Sequence, residues 1–276
     1  MRSETPEAIA GIRYHHRQRI YAMETRKAMD LRLGWLVKMD LGWSRTLSKT
    51  ERDAIAARAA DLVKIGAALT KGKMVDIPGD FARLEDVILA TLAARTPFAA
   101  IEKAAEKEMA RLAQELAVWQ WAAPIRGFGP VSLAVIIAEA GDLSNYPTIA
   151  KLWTRMMLGL VDGIRQGGLP KTATAAEWIR HGYNKKRRSR MWNIGQALVK
   201  GNRDGAYRAV YLARKDYERA RAEAAGLTVA PSASIPKDRK DEFMSLGHID
   251  HRAQRVMEKR LLVDLWQAWR ETTIEV

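Results

Sequence analysis

Cysteine is absent from this 276-residue chain, which excludes disulfide bonds, thiol nucleophiles and cysteine-bound zinc. Long apolar runs are also absent, so we predict no membrane-spanning segment. The first residues lack the apolar core of a signal peptide. Since a chain without cysteine suits a reducing compartment, we predict a cytoplasmic protein. The sequence has no internal repeat and no alternating strand pattern of useful length.

Positive charge is in excess. The chain has 46 Lys and Arg against 32 Asp and Glu, a formal net charge of +14, and it is 47% hydrophobic, enough for a real core. Between Lys151 and Arg221 there are 17 basic and 5 acidic residues, so this segment alone holds +12 of the excess. Such a balance indicates an anionic partner. We predict that this partner is DNA, or alternatively structured RNA, and not a membrane.

Apolar residues recur at helical spacing through most of the chain, which predicts an all-α protein with a long C-terminal helix over 241–270. Ser48 and Glu51 form a capping-box pattern, and further helices are predicted over 5–33, 81–93 and 98–121. We divide the chain into a helical region, 1–122, and a DNA-binding domain, 123–276. The helices of the first region suit a coiled coil or a dimer interface, so we predict a homo-oligomer. A Pro- and Ser-containing linker is predicted at 226–240.

A Gly-x-Gly turn between two helices is the motif around which the prediction is built. Pro124 ends one helical pattern and Pro130 suits the first position of the next, with Gly127 and Gly129 between them. Such a turn brings backbone N–H groups and a helix N-terminus close to one point, which favours a phosphate. The alternative is a plain turn in a helical bundle. As nucleic-acid contacts of this helix-hairpin-helix we predict Arg126, Gly127, Phe128 and Gly129.

A second candidate is the run from Arg180 to Arg190, which has six basic residues and no acidic one. Cations at the start of a helix oppose its dipole, and a bound phosphate would relieve that cost. We interpret the run as an exposed loop that leads into a helix at 187–199. Removal of its charges should then have little effect on folding. The alternative is a solvated charged face without a ligand. The predicted phosphate contacts are Lys185, Lys186, Arg187, Arg188 and Arg190.

Other residues give weaker signals. His248 and His251 are spaced i, i+3 on one helical face, which suits either a metal or a backbone phosphate, but no third ligand is evident. Trp178 and Trp192 flank the basic run and could stack on bases, although tryptophans on apolar stripes are usually core. Ser189 has no recognisable catalytic partner. We therefore predict no metal site and no cofactor, and name no catalytic residue.

Residues 123–269 resemble the C-terminal transposase domain of the DEDD-type, bridge-RNA-guided insertion-sequence recombinases. The resemblance implies DNA binding, DNA recombination and an origin in a mobile element. It is carried by five stretches: Ile125–Pro130, Ala138–Leu143 with Tyr146-Pro147 after it, Leu158–Leu160, Gly182–Leu198 and His251–Leu262.

Two departures from that family affect the expected chemistry. The family begins with a ribonuclease-H-like domain whose strands hold acidic metal ligands, and residues 1–120 have no such strand pattern. Its transposase domain holds a nucleophilic serine in a Gln-Ser-Gly context, whereas Gly167 stands at that position in this chain. Our first interpretation is therefore a DNA-binding protein without its own strand-transfer chemistry. There are two alternatives. One is a divergent recombinase or nuclease that uses Ser189, or Glu139 with Asp142. The other is a helical interaction module that uses the helices over 5–33 and 98–121.

Overall fold

The computed structural model of this chain describes residues 4–201 and 204–274. It is 72% helix and 4% strand, which confirms the all-α prediction. The helices are α1 (Glu4–Asp40), α2 (Lys49–Leu69), α3 (Gly79–Ala82), α4 (Glu85–Glu115), α5 (Trp119–Ala122), α6 (Pro130–Ala140), α7 (Ile149–Arg155), α8 (Ala175–His181), α9 (Lys185–Gly201), α10 (Ala206–Ala224) and α11 (Leu246–Ile274).

Residues 4–201 and 204–274 include four strands of two or three residues, too short for the sequence pattern to indicate them. Strand β1 (Leu160–Val161) pairs antiparallel with β2 (Ile164–Arg165), and β3 (Thr228–Ala230) pairs in parallel with β4 (Phe243–Ser245). The predicted linker at 226–240 thus contains β3 and a short 3-10 helix. The apolar spacing of the sequence also predicts a helix over 203–225, and the predicted first residue, Arg203, lies outside the described residues.

The chain divides into two compact units, one made of residues 15–107 and the other of residues 1–14 and 108–276. The first unit has its own core, in which Phe81, Leu62 and Ile88 are fully buried. The predicted capping box is present, because Ser48 Oγ accepts from the Glu51 amide at 3.3 Å and Glu51 accepts from the Ser48 amide at 2.8 Å. This local pattern sets the start of α2 as the sequence predicts.

Helix boundaries in this part of the chain differ from the prediction: α1, predicted over 5–33, continues to Asp40, and the helix predicted over 81–93 is divided between α3 and α4. The sequence predicts a break between helices ending at 93 and beginning at 98, whereas α4 continues from Glu85 to Glu115 with Pro97 inside it. Proline removes one backbone donor and crowds the preceding turn. Packing of Ile88 and Leu92 in the core holds the helix on the N-terminal side of that proline. Tertiary packing therefore overrides the local signal at this position.

The second unit contains every residue predicted to contact nucleic acid. Its core is formed around α6, α9 and α11, with Leu133, Ile136, Leu198 and Leu261 buried among many other apolar side chains. Helix α6 is almost entirely apolar, as expected for a helix surrounded by protein. Helices α9 and α11 pack on each other and bring the basic run close to the start of the C-terminal helix.

Candidate nucleic-acid interface

The predicted hairpin lies between α5 and α6, and the two glycines have different roles. Gly127 has a φ of 82°, and a Cβ there would lie 2.5 Å from the carbonyl oxygen of Ala197 and 3.0 Å from Cα of Leu198. A side chain is therefore excluded by the backbone of α9. Gly129 has a φ of −75°, is exposed, and has open space where a Cβ would point. The close packing of the turn on α9 explains Gly127 without a ligand.

Phe128 and Arg126, the other two predicted hairpin contacts, also differ in their exposure. Phe128 is 1% exposed and makes an edge-to-face contact with Trp121 at 6.3 Å between ring centroids, so its side chain belongs to the core. Arg126 is exposed. The amide of Phe128 donates to Ile125 O at 3.0 Å, and the amides of Ser132 and Leu133 donate to Gly129 O at 2.9 and 3.2 Å. These three donors are used inside the turn and are not available to a phosphate.

The basic run is helical and not an exposed loop, because α9 begins at Lys185. Arg187 Nε donates to Glu139 Oε2 at 2.7 Å, and Arg190 donates to the other oxygen of the same carboxylate, whose side chain is 8% exposed. Arg188 donates to Glu258 at 2.7 Å, and the side chain of Glu258 is 0% exposed. The expectation that removing these charges leaves folding unaffected is therefore corrected: three of the five predicted residues pair with buried carboxylates.

The carboxylates considered for catalysis have structural partners. Glu139 accepts from the two arginines, and Asp142 accepts from the Ser144 amide at 2.8 Å and from Trp269 Nε1 at 3.0 Å. At Gly167, where the resemblance places a serine, φ is 79° and a Cβ would lie 2.9 Å from the ring of Tyr183. A nucleophilic side chain at that position would need this ring to move.

A cleft of about 690 Å³ lies where the first turns of α9 and α11 meet. Among the described residues that line it, none is Asp or Glu. Two histidines, His248 and His251, lie on its α11 side. Five of its lining residues are cations: Arg165, Lys185, Arg188, Arg252 and Arg255.

Only part of this positive charge is balanced. Arg188 pairs with Glu258, and Arg252 pairs with Glu218 at 2.9 Å. Within the described part of the chain, the side chains of Arg165, Lys185 and Arg255 have no carboxylate at ion-pair distance. Three cations thus converge on one concave surface with their charge available to an anion.

Arg255 is the most unusual of the three, because it is half-buried on the α11 wall. Its guanidinium lies 3.5 and 3.4 Å from the carbonyl oxygens of Met157 and Gly159. Burial, together with the nearby charges of Arg188 and Arg165, lowers the pKa of Arg255 to about 10. Burial of a cation beside other cations is costly, and such sites are often functional.

The positive charges of the cleft also act on His248. Burial lowers the pKa of this imidazole, and the charges of Arg252, Arg165 and His251 lower it further, although Glu218 opposes them. The backbone amide of His248 donates to Ser245 Oγ at 3.1 Å, which caps the first turn of α11. A bound anion would reverse the electrostatic part of this pKa shift.

Two helix N-termini add to the positive electrostatic potential of the cleft. Lys185 is the first residue of α9 and Gly247 is the second of α11, and both line the cleft. Neither helix has an acidic residue in its first turn, where one would be favourable. The sequence therefore leaves both helix dipoles uncompensated at the place where the cations gather.

The sequence signals for this cleft were present but separate. Lys185, Arg188, Ser189 and Trp192 have the i, i+3, i+4, i+7 spacing of one helical face, and the two histidines mark the facing helix. Trp192 is 38% exposed in the cleft wall. Trp178 instead packs beside His181 and Tyr183. No group of three His, Cys, Asp or Glu among the described residues is placed to hold a metal.

Comparisons with protein-family models, curated proteins and solved structures found no match for this chain. The resemblance to a transposase domain consequently depends on the residues quoted for it. Within residues 4–201 and 204–274, no helix is both long and apolar enough to cross a bilayer.

Proposed function

We propose that this protein binds nucleic acid through backbone phosphates held in the cleft between α9 and α11. The observation that carries the proposal is the concentration of Arg165, Lys185 and Arg255, which have no carboxylate partner among the described residues, in a cleft beside two helix N-termini. Phosphate oxygens accept from guanidinium and ammonium groups and are favoured at helix N-termini. A cleft without acidic lining groups suits such an anion over a cationic or neutral ligand.

The residues predicted from sequence have divided roles in this proposal. Lys185 and Lys186 are exposed and extend the positive surface beyond the cleft. Arg188 lines the cleft while its guanidinium pairs with Glu258. Arg126 and Gly129 form an exposed secondary contact at the start of α6. Arg187 and Arg190 position α9 through Glu139 and do not need to touch the ligand.

The relation to a transposase domain and the partner DNA belong to the same proposal. The chain would retain nucleic-acid contacts of that domain without its serine chemistry, since Gly167 lies against Tyr183. Phosphate contacts alone do not distinguish DNA from RNA, which requires reading of the 2′-hydroxyl. A comparison of DNA and RNA of one sequence therefore belongs in the first binding experiment.

The sharpest test is Arg255→Met, which keeps the volume of a long side chain and removes its charge. The pKa of about 10 implies that the buried cation costs the folded state on the order of 1–3 kcal/mol. We expect the variant to unfold at the same or a higher urea concentration than the wild type, while DNA affinity falls. Arg219→Met, at an exposed position on α10, is the matched control for loss of one charge. Equal affinity for both variants would contradict the proposal.

Salt dependence gives a second, independent measurement. If about five to eight phosphates of duplex DNA are neutralised, log K should fall against log salt with a slope of roughly −5 to −7. Loss of one phosphate contact in Arg255→Met should reduce this slope by about 1. Fluorescence anisotropy with a labelled duplex, a single strand and a structured RNA provides the data. Absence of binding at low salt to all three would refute the proposed function.

A second candidate function is self-association through the unit of residues 15–107. An apolar groove between α1 and α4 includes Met29, Leu33 and Leu36, and Leu31 and Trp35 on α1 are 75% and 50% exposed. Exposed apolar patches of this kind often mark interfaces. We expect light scattering to give a dimer or larger species, and Leu36→Glu to shift it towards monomer. A wild type that is monomeric at high concentration would exclude this candidate.

A further inference from the structure

We propose that the cleft accepts an unpaired nucleotide, with its phosphate among the cations and its base against Trp192, so that single-stranded nucleic acid binds in preference to a continuous duplex. This inference rests on the proposed function, because it names the form of nucleic acid that the same cleft takes. It makes a separate prediction, since phosphate binding alone would serve a duplex equally well.

The size of the cleft is the first argument. Its volume of about 690 Å³ lies in the range of ~300–1,000 Å³ typical of pockets for single small molecules. A duplex can bring phosphates to the rim of such a cleft. It can place a base inside only by unpairing it, at a cost of a few kcal/mol. An unpaired strand enters without that cost.

The aromatic wall is the second argument. Trp192 is on the same face of α9 as Lys185 and Arg188, and this residue is 38% exposed although it lines a concave site. Seven residues of helix separate Lys185 from Trp192, about 10 Å along the axis. This arrangement puts a stacking surface next to the phosphate-binding cations. Basic grooves with aromatic side chains are typical of proteins that bind single strands.

The polar lining indicates which kind of recognition follows. The described residues around the cleft include Ser189, Ser232 and Ser245 but no Asn, Gln, Asp or Glu. Amides and carboxylates are the side chains that read adenine and cytosine edges most selectively. A site that combines an indole, hydroxyls and cations instead holds bases by stacking and phosphates by charge. We therefore infer weak sequence preference within the bound single strand.

The test compares a labelled deoxythymidine oligomer of about 12 nucleotides, inside the ~4–16-nucleotide range of single-strand sites, with a duplex of equal length. For the wild type, we expect the oligomer to bind more tightly at equal salt. Loss of one stacked base in Trp192→Ala should lower the ratio of single-strand to duplex affinity by roughly 5- to 150-fold. Tyr21→Ala removes an exposed aromatic ring from the other unit and should leave the ratio unchanged.

A second readout does not depend on the alanine variant being folded. Stacking should quench tryptophan emission when the wild type binds the unlabelled oligomer, and Trp192→Phe should lose most of that quenching while it still binds. The same measurement with a uridine oligomer tests RNA as the source of the strand. Persistent quenching in Trp192→Phe would overturn the assignment of Trp192.

The outcomes separate the two proposals. If duplex and oligomer bind equally and the ratio is insensitive to Trp192, the unpaired-nucleotide inference is wrong and the proposed function stands. If neither nucleic acid binds, both are wrong. If single strands of DNA or RNA are preferred and Trp192→Ala abolishes the preference, both are supported.

Discussion

Arg188→Met should destabilise the folded protein in a strongly pH-dependent way. Arg188 donates to Glu258 at 2.7 Å, and the side chain of Glu258 is 0% exposed on α11. Removing one partner of a buried pair leaves the other charge without compensation, which typically costs about 3–5 kcal/mol. Gln254 Nε2, at 2.8 Å from the same carboxylate, remains as a donor and limits the loss. We expect a decrease in the free energy of unfolding near the lower end of that range.

The pH dependence follows from the direction of the pKa shift. Burial raises the pKa of Glu258, and the charge of Arg188 opposes the rise, so removal of Arg188 raises this pKa further. A carboxyl whose pKa is higher in the folded than in the unfolded chain stabilises the fold while it is protonated. That contribution is complete below the unfolded pKa, about 4.3 for Glu, and it is lost as pH rises through the folded pKa. The deficit of Arg188→Met should thus be small in acid and largest at alkaline pH.

Urea denaturation at about pH 5 and about pH 8 measures this difference. In the double variant Arg188→Met/Glu258→Gln neither member of this pair is charged, and we expect stability within about 1–2 kcal/mol of the wild type. Arg239→Met, which breaks an exposed pair with Glu242, is the matched control and should cost at most about 0.5 kcal/mol at either pH. A deficit in Arg188→Met that is equal at both pH values and persists in the double variant would refute the reasoning.

Three further predictions concern the turn, the cleft and the second core. Gly127→Ala should lower the free energy of unfolding by about 1–3 kcal/mol, because the backbone of Gly127 is left-handed and the carbonyl oxygen of Ala197 blocks a Cβ there. Gly129→Val should melt at the wild-type temperature and change only the affinity for DNA. DNA affinity should rise as pH falls from about 8 to about 5.5, since a bound phosphate raises the lowered pKa of His248. In anisotropy titrations, His248→Gln should make the affinity less dependent on pH. Phe81→Ala, at 0% exposure, should cost about 3–5 kcal/mol in urea denaturation; a loss under 1 kcal/mol would contradict the core assignment.

These expectations alter how the basic run should be tested. Simultaneous replacement of Lys185, Lys186, Arg187 and Arg188 removes the arginine partner of Glu258 and one of the two arginine partners of Glu139, so loss of binding in that variant would also reflect loss of stability. Replacement of the two exposed lysines alone leaves those ion pairs intact. The smaller variant therefore measures the contribution of surface charge to affinity.

Local patterns in the sequence determined several elements of this protein. The capping box at Ser48 and Glu51, the start of α6 at Pro130 and the all-α class depend on residues within one or two turns of each other, where spacing alone carries the physical information. The concentration of positive charge after Lys151 is likewise a property of the sequence. It predicts an anionic partner before any coordinate is known.

Only the tertiary structure decided which charges lie in the cleft and which pair inside the protein. Glu139 is 48 residues from Arg187, and Glu258 is 70 residues from Arg188, so no local pattern indicates that these arginines pair inside the protein. The same packing of α11 on α9 brings Arg255 and His248 beside Lys185 and Trp192. Long-range packing is set by the fit of whole helix faces, and this fit exposes one set of cations in a cleft and neutralises another in the core.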